Sequence, residues 1–453
     1  MITDTLKSAI VSRANRLDSE YHLSPGVRAA RRVQELASHG YPVDMLGNLA
    51  SISAPKRFKR VYATSAEESL PYLRPYDIFD YLPIAADHLS VSRNSVIDDL
   101  RLHIGTILLT CSGRNLGPAV AVDRHLSNFV LSHDAIRIDP HSTSLMPYLL
   151  TVLNSPTGQE LVRRDMSGSV IDHITVADVS RLCVPLLEAS AQDSIGRKMA
   201  SAIDLREQAR LDLVHLHDEV EKNLPDIKSN RPADGWQINA QELLGRIDSA
   251  PYLPTSRDAA KALIRAGGPK LRDVAILHKP ASRYKAYHVT KEHGHPFLAG
   301  GQLRQEHVIA PKYMADRVFS EPGWYRLHAD ETVFAADGRA YEGLGVPVMV
   351  TPDRAGWLAS EHVMRARPRE GVNAGWLYLA LASSFVQEQI QVLACGSVVD
   401  TLYPADVGEV VLPPPTLCGG DDAIRAWHKF ADAAAMAEAA VSEFESHISE
   451  IIF

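Results

Sequence analysis

The sequence has few cysteines and no paired cysteine motif. Its 453 residues contain four, Cys111, Cys183, Cys395 and Cys418, and none lies close to another along the chain. Four scattered cysteines therefore suggest neither a disulfide framework nor a zinc ribbon. We expect these thiols to be buried or idle.

Long apolar runs are absent as well. No stretch approaches the roughly 18 apolar residues that span a bilayer, and the N-terminus has no basic leader followed by an apolar core. With 45% apolar and 23% charged residues, the chain has the composition of a globular protein with sizeable cores. The sequence therefore predicts a cytoplasmic protein without a membrane partner.

Motifs of the common nucleotide and methyl-transfer enzymes are also missing. Residues 113–117 lack the spacing and the lysine of a phosphate-binding loop. Residues 412–415 resemble the strand end at which methyltransferases hold a base amine, but they offer no polar group for it. Residues 225–228 contain only a fragment of a nuclease carboxylate and lysine pair. The sequence predicts a chain that is not an enzyme, has no metal site and binds no cofactor directly.

Positive charge is in deficit, because 47 lysine and arginine residues face 55 aspartate and glutamate residues and the net charge is −8. This balance disfavours a protein that coats nucleic acid non-specifically, since phosphate neutralisation needs a cationic surface. The distribution is uneven, however, with acidic residues concentrated between positions 204 and 221. A local cationic surface elsewhere remains compatible with the sequence.

What the chain does contain is an internal repeat. The run Gly-Ser-Val-Ile-Asp at residues 168–172 recurs 228 positions later as Gly-Ser-Val-Val-Asp at residues 396–400. At this one offset, 13 of the 37 positions from 149 to 185 are identical. Chance would make roughly one position in fifteen identical. Residues 16–19 also match residues 246–249, so the sequence predicts two copies of one unit.

The predicted fold class is α/β, as a tandem pseudo-twofold duplication in which long antiparallel coiled-coil helices separate two mixed α/β domains. Short β-type runs at residues 104–110, 119–122, 128–131 and 135–138, with a helix at 145–164, indicate the first α/β domain. The predicted segments are N-terminal helices at 1–40, a first α/β domain at 41–188, a long helix at 189–225, a linker with helices at 226–268, a second α/β domain at 269–416 and a second long helix at 417–453.

Both long helices carry apolar residues at spacings of three and four, which is typical of a coiled-coil seam. Two such seams in one chain are predicted to pack against each other, antiparallel, because neither could stay in water. The seam positions are Ile195, Met199, Ala202, Ala209, Leu213, Leu216 and Val220 in the first helix, and Trp427, Phe430, Ala434, Ala437, Val441, Phe444, Ile448 and Ile451 in the second.

Basic residues mixed with aromatics occur at matching places in the two copies. Each cluster precedes a Pro-aromatic-Leu run, at residues 71–73 and 296–298. Arginine and lysine bond to phosphate and can pair with guanine in a major groove, so these clusters predict a DNA-binding surface. The alternative is a solvated loop with ordinary surface charge. The clustered residues are Lys56, Arg57, Lys59 and Arg60 in the first copy and Arg283, Tyr284 and Lys285 in the second.

Two further turns recur and have open alternatives. Arg114 and Arg339 each follow a glycine after a strand, and they either contact DNA or close the turn by bonding a carbonyl. Ser169 and Ser397 lie in the repeated Gly-Ser-Val run, where glycine and serine suit a phosphate-binding loop as well as a tight connection. All four residues are candidate DNA contacts.

The order of these features resembles the specificity subunit of type I restriction–modification systems. The resemblance covers nearly the whole chain and rests on order and duplication: a strand before each Gly-Arg turn, helices beginning near Tyr148 and Trp376, the Gly-Ser-Val run, a proline-containing strand and a long helix. No single motif carries it.

The resemblance implies a DNA-recognition subunit whose two target-recognition domains each read one half of a split, asymmetric site on double-stranded DNA. It implies methyltransferase subunits as partners, with S-adenosylmethionine bound on those subunits, and a restriction or other defence subunit as a further partner in a phage-defence system. Residues 50–135 and 278–363 diverge strongly, so the two half-sites are predicted to differ.

Two other functions remain open from the residues alone. One is a stand-alone nuclease or nicking enzyme with an unrecognised site. The other is a protein-binding scaffold, which the acidic balance would suit.

Overall fold

The structure is a computed structural model of the chain. It forms two compact units, of which unit 1 comprises Met1–Glu207 and Asp432–Phe453 and unit 2 comprises Gln208–Ala431. Both units mix helices with sheets, as the sequence predicts. The described residues are 22–64, 66–112, 116–164, 173–227, 235–243, 246–280, 287–315, 325–340, 342–396, 398–417 and 419–452.

The elements of the first half include nine strands and six helices within the described ranges. They are α1 (Pro25–Ser38), β1 (Val43–Met45), α2 (Leu46–Leu49), β2 (Ala50–Ser53), β3 (Ser69–Leu73), β4 (Asp87–Ser90), β5 (Ile107–Thr110), β6 (Ala119–Ala121), β7 (Val130–Leu131), β8 (Ala135–Pro140), α3 (Met146–Asn154), α4 (Pro156–Arg163), α5 (Val176–Ser180), β9 (Cys183–Pro185) and α6 (Ala189–Asn223). The four predicted strands are confirmed as β5 to β8.

The second half follows a similar order. Its elements are α7 (Pro254–Arg265), α8 (Leu271–Val274), β10 (Ala275–His278), β11 (His288–Val289), β12 (His295–Leu298), β13 (Lys312–Met314), β14 (Thr332–Ala335), β15 (Asp337–Gly338), β16 (Val348–Met349), β17 (Leu358–Ala359), β18 (Val363–Pro368), α9 (Ala374–Ala382), α10 (Ser384–Leu393), β19 (Asp400–Thr401), α11 (Pro404–Val407) and α12 (Asp421–Ile452). Among the helices of the described ranges, none has the length and apolar character that crossing a bilayer requires.

Each unit contains a main sheet and a small sheet. The main sheet has the order β2-β8-β5-β6 in unit 1 and β10-β18-β14-β16 in unit 2. The small sheet has the order β4-β3-β7 in unit 1 and β11-β13-β12-β17 in unit 2. In unit 1 a third, two-stranded sheet pairs β1 with β9, and in unit 2 β15 pairs with β19.

Corresponding strands of the two units pair in the same register. Ile107 is opposite Ile138 in unit 1, and Thr332 is opposite Ala366 in unit 2, which lie 225 and 228 residues later. The offset increases by three between β5 and β6, so one copy has a longer connection there. Two other pairs show both offsets. Tyr72 is opposite Val130 in unit 1, as Phe297 is opposite Leu358 in unit 2. Likewise, Ala50 is opposite Pro140 in unit 1, as Ala275 is opposite Pro368 in unit 2.

Glutamines that are identical in the two copies hold the same turn. The side-chain amide of Gln159 donates to the carbonyl oxygens of Gly117 and Leu153 at 2.6 and 2.7 Å. Gln387 donates in the same way to the carbonyls of Gly345 and Leu381 at 3.1 and 2.8 Å. Both glycines have a positive φ, 106° and 76°, which a side chain would strain. The sequence identity of these glutamines therefore reflects a structural role.

The predicted helix at 145–164 is wrong in one respect, because it is two helices, α3 and α4. The break falls between Ser155 and Pro156, where the Ser155 hydroxyl accepts a hydrogen bond from the Gly158 amide and caps α4. Proline in the first helical turn has no amide to leave unsatisfied, so it starts α4 rather than continuing α3. The periodicity of the apolar residues did not reveal this break.

Both long helices complete the cores of the units. In unit 1, Ile195 and Met199 of α6 and Phe444 and Ile448 of α12 belong to one buried cluster. The Phe444 ring meets the buried Tyr148 ring edge-on, at 6.1 Å between centroids. In unit 2, Trp427 meets Tyr378 in the same way at 5.2 Å.

The seam of α12 differs from the predicted one near its middle. Ala433 and Ala440 are fully buried, whereas the predicted Ala434 and Val441 are only partly buried. Phe430 and Phe444, which flank this stretch, are buried as the pattern predicts, so only the second row of the seam differs, and it lies one residue earlier than predicted.

Candidate nucleic-acid interface

The predicted basic cluster of unit 1 lies on an irregular segment, residues 54–61, between β2 and β3. Lys56, Arg57, Lys59 and Arg60 are all exposed. Phe58, in their midst, packs against the core of the small sheet, and its ring meets the His133 ring edge-on at 6.0 Å. The aromatic residue thus anchors the segment, and the cations on either side of it face solvent.

Arg60 connects the segment to the small sheet. Its guanidinium carbon lies 5.7 Å from the centroid of the Tyr72 ring, within the range of a cation–π interaction. Burial raises the pKa of the Tyr72 hydroxyl, and the positive charge of Arg60 partly opposes that rise. Among the described residues, none of the four cations forms an ion pair with a carboxylate. Their charge is therefore available to an external anion.

The end of the segment is held by Asn94, which is 4% exposed. Its side-chain oxygen accepts from the Val61 amide at 3.1 Å, and its side-chain nitrogen donates to the Val61 carbonyl at 2.8 Å. The same nitrogen donates to the Ser90 carbonyl at 2.6 Å. Beyond it, Tyr62 bridges to Leu89 and extends the small sheet at its edge.

Replacing Asn94 with alanine is expected to lower the free energy of unfolding by about 1–3 kcal/mol, because a buried amide that makes three hydrogen bonds is lost. Hydrogen exchange at the Val61 amide should become faster. Asn48→Ala is the matched control, since Asn48 is exposed and donates only to the Asp44 carboxylate. Equal and small losses in both variants would show that Asn94 does not hold the segment.

Arg93 is held in place beside this anchor. Its guanidinium donates to the Glu67 carboxylate at 3.0 Å and to the Tyr62 carbonyl at 2.8 Å. Hydrogen bonds from Arg93, Ser90 and Thr64 hold the pKa of Glu67 far below its ordinary value. Unlike the cations of residues 56–60, Arg93 is occupied by a carboxylate of its own unit.

Six predicted contacts lie outside the described residues. They are Arg114, Ser169, Arg283, Tyr284, Lys285 and Ser397. These remain predictions. Arg339 is described: it is exposed, and its Nη1 lies 3.8 Å from a Glu342 carboxylate oxygen.

The structure brings together two turns that the sequence analysis treated separately. In unit 2, Asp337 and Gly338 of the Asp-Gly-Arg turn pair with Thr401 and Asp400 at the end of the Gly-Ser-Val run. The Asp400 carboxylate also accepts from the Ala340 amide at 2.9 Å. In unit 1, Ser112 and His173 form the corresponding bridge. Each turn therefore supports the other.

Asp337 is the centre of this arrangement. Its carboxylate accepts hydrogen bonds from Thr401 at 2.6 Å, His362 at 2.8 Å and Lys279 at 3.0 Å. Burial works to raise the pKa of Asp337, but these hydrogen bonds outweigh it and the pKa is lowered. The carboxylate is therefore ionised and fully engaged near neutral pH, as a structural group would be.

Steric crowding explains why the Gly-Ser-Val run of unit 2 has a glycine at position 396. A Cβ at Gly396 would lie 2.0 Å from the Val399 carbonyl oxygen, closer than any side chain tolerates. Of the two alternatives for the glycines in this run, a tight connection is therefore favoured at Gly396.

The small sheet carries charged residues that the sequence analysis missed. Arg74, directly after β3, donates to the Asp87 carboxylate of β4 at 3.1 Å, and this bond raises the pKa of Arg74. In unit 2, Lys312 of β13 is exposed. One sequence signal could have revealed which residues of the two small sheets correspond. The run Arg-Leu-His recurs at residues 101–103 and 326–328, an offset of 225, and equivalent strands of the small sheets are also 225 residues apart.

The chain matches no family model and no curated protein. Solved structures do match. One is the S subunit of a type I restriction–modification system from M. genitalium, at 12% identity and a TM-score of 0.29, covering 91% of this chain and 92% of that chain. A second is the HsdS subunit from Thermoanaerobacter tengcongensis, at 12% identity and a TM-score of 0.27, covering 91% and 94%.

A third match comes from a structure described as the basis of complex assembly and conformational transition of the type I R-M system. It has 14% identity and a TM-score of 0.27, and it covers 91% of this chain and 95% of that chain. The matched proteins are of the family that the sequence resembles. Because the TM-scores are low, the function proposed below rests on the residues and contacts of this chain.

Proposed function

We propose that this chain is the DNA-recognition subunit of a type I-like restriction–modification or defence complex. It reads a bipartite, asymmetric site on double-stranded DNA, one half with each unit, and it performs no chemistry itself. Methyltransferase subunits bind to it and supply both S-adenosylmethionine and the methyl-transfer reaction. A restriction or other defence subunit is a further partner.

The observation that carries this proposal is the repeated scaffold with different surfaces. Strands of the two units pair in the same register at offsets of 225 and 228. At equivalent positions on the strands, Asp87 and Asp139 of unit 1 are replaced by Lys312 and Arg367 of unit 2, so the charge is reversed. Two units that share one scaffold but differ in their surface residues suit a split DNA site whose two halves differ in sequence. A duplicated scaffold that bound one repeated ligand would instead keep its exposed residues alike.

The basic segment of unit 1 supports DNA as the ligand. Four exposed cations occur within five residues, and the single aromatic residue among them is used as an anchor. Cations in such a segment neutralise phosphates and position a protein on a duplex, whereas contacts to base edges give specificity. The segment adjoins the small sheet, which supplies other polar side chains.

The proposed spacer consists of the long helices α6 and α12, paired antiparallel. Contacts within each unit support that pairing: Lys198 bonds Glu443 at 2.7 Å in unit 1, and Lys429 bonds Asp212 at 2.7 Å in unit 2. In both units the two long helices thus form an ion pair, and in unit 1 they share a buried cluster. The length of this pair would set the gap between the half-sites.

Selection from a random duplex library with the full chain tests the proposal. The enriched DNA should contain two different blocks of defined sequence with an undefined gap of constant length. The chain should bind this DNA at least about 1,000-fold more tightly than a shuffled duplex, as sequence-specific proteins do. Plasmid incubated with the protein and magnesium or manganese should stay intact. Enrichment of no sequence, or cutting of the plasmid, would contradict the proposal.

A further inference from the structure

The two small sheets place opposite charges at the same position. In unit 1, Tyr72 of β3 is directly opposite Asp87 of β4. In unit 2, Phe297 of β12 is directly opposite Lys312 of β13, and both residues lie 225 positions later. Directly opposed residues of an antiparallel pair project from the same face of the sheet. Each charged residue therefore lies beside the corresponding aromatic ring.

The surroundings of this position also differ between the units. In unit 1, Asp87 accepts a hydrogen bond from Arg74, and the two side chains are 34% and 59% exposed. Arg74 follows directly after β3. In unit 2, the residue that follows β12 is Ala299, so that place has no arginine. Unit 1 thus presents an acceptor and a donor, whereas unit 2 presents the ammonium of Lys312.

The same face adjoins the proposed DNA-binding segment. In unit 1, Arg60 lies over the Tyr72 ring, and Tyr62 is opposite Leu89 on the face that bears Asp87. In unit 2, His288 is opposite Met314, which corresponds to Leu89 of unit 1. The centroids of the His288 and Phe297 rings are 6.4 Å apart. Tyr72 and Leu89 on this face are buried, whereas the Arg74 and Asp87 side chains at its end are 59% and 34% exposed. In unit 1, phosphate contacts made by the cations of residues 56–60 would therefore bring this exposed end of the sheet close to the bases.

From this arrangement we infer that the Arg74 and Asp87 pair in unit 1 and Lys312 in unit 2 are specificity-determining residues at equivalent positions. The inference rests on the proposed function. A carboxylate accepts from the amino group of cytosine or adenine, an arginine donates to guanine, and a lysine only donates. The half-site read by unit 1 and the half-site read by unit 2 therefore differ at the base pairs that face this position.

A transplant of the position tests the inference. The double variant Arg74→Ala and Asp87→Lys gives unit 1 the two residues that unit 2 has, Ala299 and Lys312. The full-length variant is put through selection from a random duplex library beside the wild type. One block of the enriched site should change its preferred base by roughly 5- to 100-fold, the discrimination typical of a single good contact. The other block should stay the same.

The reciprocal variant Lys312→Asp should change the block that the first variant leaves intact. Lys312→Met, which keeps the length of the side chain without its charge, should weaken the same preference if Lys312→Asp fails to fold. The matched control is Arg197→Ala with Asp193→Lys, an exposed pair with a 2.5 Å contact on α6 of unit 1. The control should select the wild-type site.

The outcomes separate the inference from the proposed function. If the wild type selects a split site and the transplant selects the same site, only the inference is overturned. If the wild type itself selects no sequence, the proposed function fails and the inference falls with it. A change in both blocks would also count against the inference, because each position is assigned to one half-site.

Discussion

Reversing the charge of Lys56, Arg57 and Lys59 to glutamate is expected to weaken binding to duplex DNA by about 100-fold and to lower the slope of log affinity against log salt by about 3. The three side chains are exposed, and in the described structure none of them forms an ion pair. Each lysine or arginine that contacts a phosphate releases about one counterion, so the slope counts the lost contacts. Mobility-shift titrations between low and physiological salt give both quantities.

The matched control reverses Arg197, Lys222 and Lys261, which are exposed residues on α6 and α7. It changes the net charge of the chain by the same amount, so a non-specific effect of total charge would weaken DNA binding equally in both variants. A loss confined to the first variant assigns the effect to the segment at residues 54–61. Unchanged DNA affinity in the first variant would instead favour the protein-binding scaffold.

Replacing Phe444 with alanine is expected to lower the free energy of unfolding of unit 1 by about 3–5 kcal/mol. Phe444 is 0% exposed and lies against the ring of Tyr148, which is itself buried. Its removal leaves a cavity between α12 and α3 that the packed core cannot close. Denaturant titration followed by circular dichroism measures the loss.

Met436→Ala is the control for this variant, since Met436 lies on the same helix and is 42% exposed. It should change the free energy of unfolding by less than about 0.5 kcal/mol, as surface substitutions usually do. Similar losses for both variants would mean that α12 is not part of the core of unit 1. That result would also remove the support for a paired spacer.

The repeat itself could be detected from the sequence where structural constraints preserve identity. Gln159 and Gln387 are identical because each bonds the carbonyl of a glycine with positive φ. By contrast, the paired aromatic residues Tyr148 and Trp376 differ, yet each donates to the carbonyl of an equivalent proline, Pro185 or Pro413. Equivalent geometry can therefore survive with a different side chain, which sequence identity cannot register.

Buried arginines show the same limit. Arg137 and Arg365 occupy equivalent places in β8 and β18, and both donate to backbone carbonyls, of Leu100 and Leu131 in unit 1 and of Arg326 in unit 2. Burial lowers the pKa of Arg137 to about 10 and lowers that of Arg365. Nothing in the sequence distinguishes these arginines from the exposed ones at Arg57 and Arg60. Exposure is a property of packing, and charge alone does not predict it.

The sequence by itself determined the mixed α/β class, the internal repeat at an offset of 228, the four strands β5 to β8 and the bounds of the two long helices to within a few residues. These follow from local periodicity, from proline and glycine positions and from residues whose identity a turn requires. Only the tertiary structure decided that Phe58 is an anchor, that the Asp-Gly-Arg turn pairs with the Gly-Ser-Val run, and that Asp87 and Lys312 are equivalent. Strand register depends on pairings between residues far apart in the chain. Those pairings show that equivalent residues in this part of the two units are 225 positions apart, whereas few identical residues remain there from which the sequence could reveal that offset.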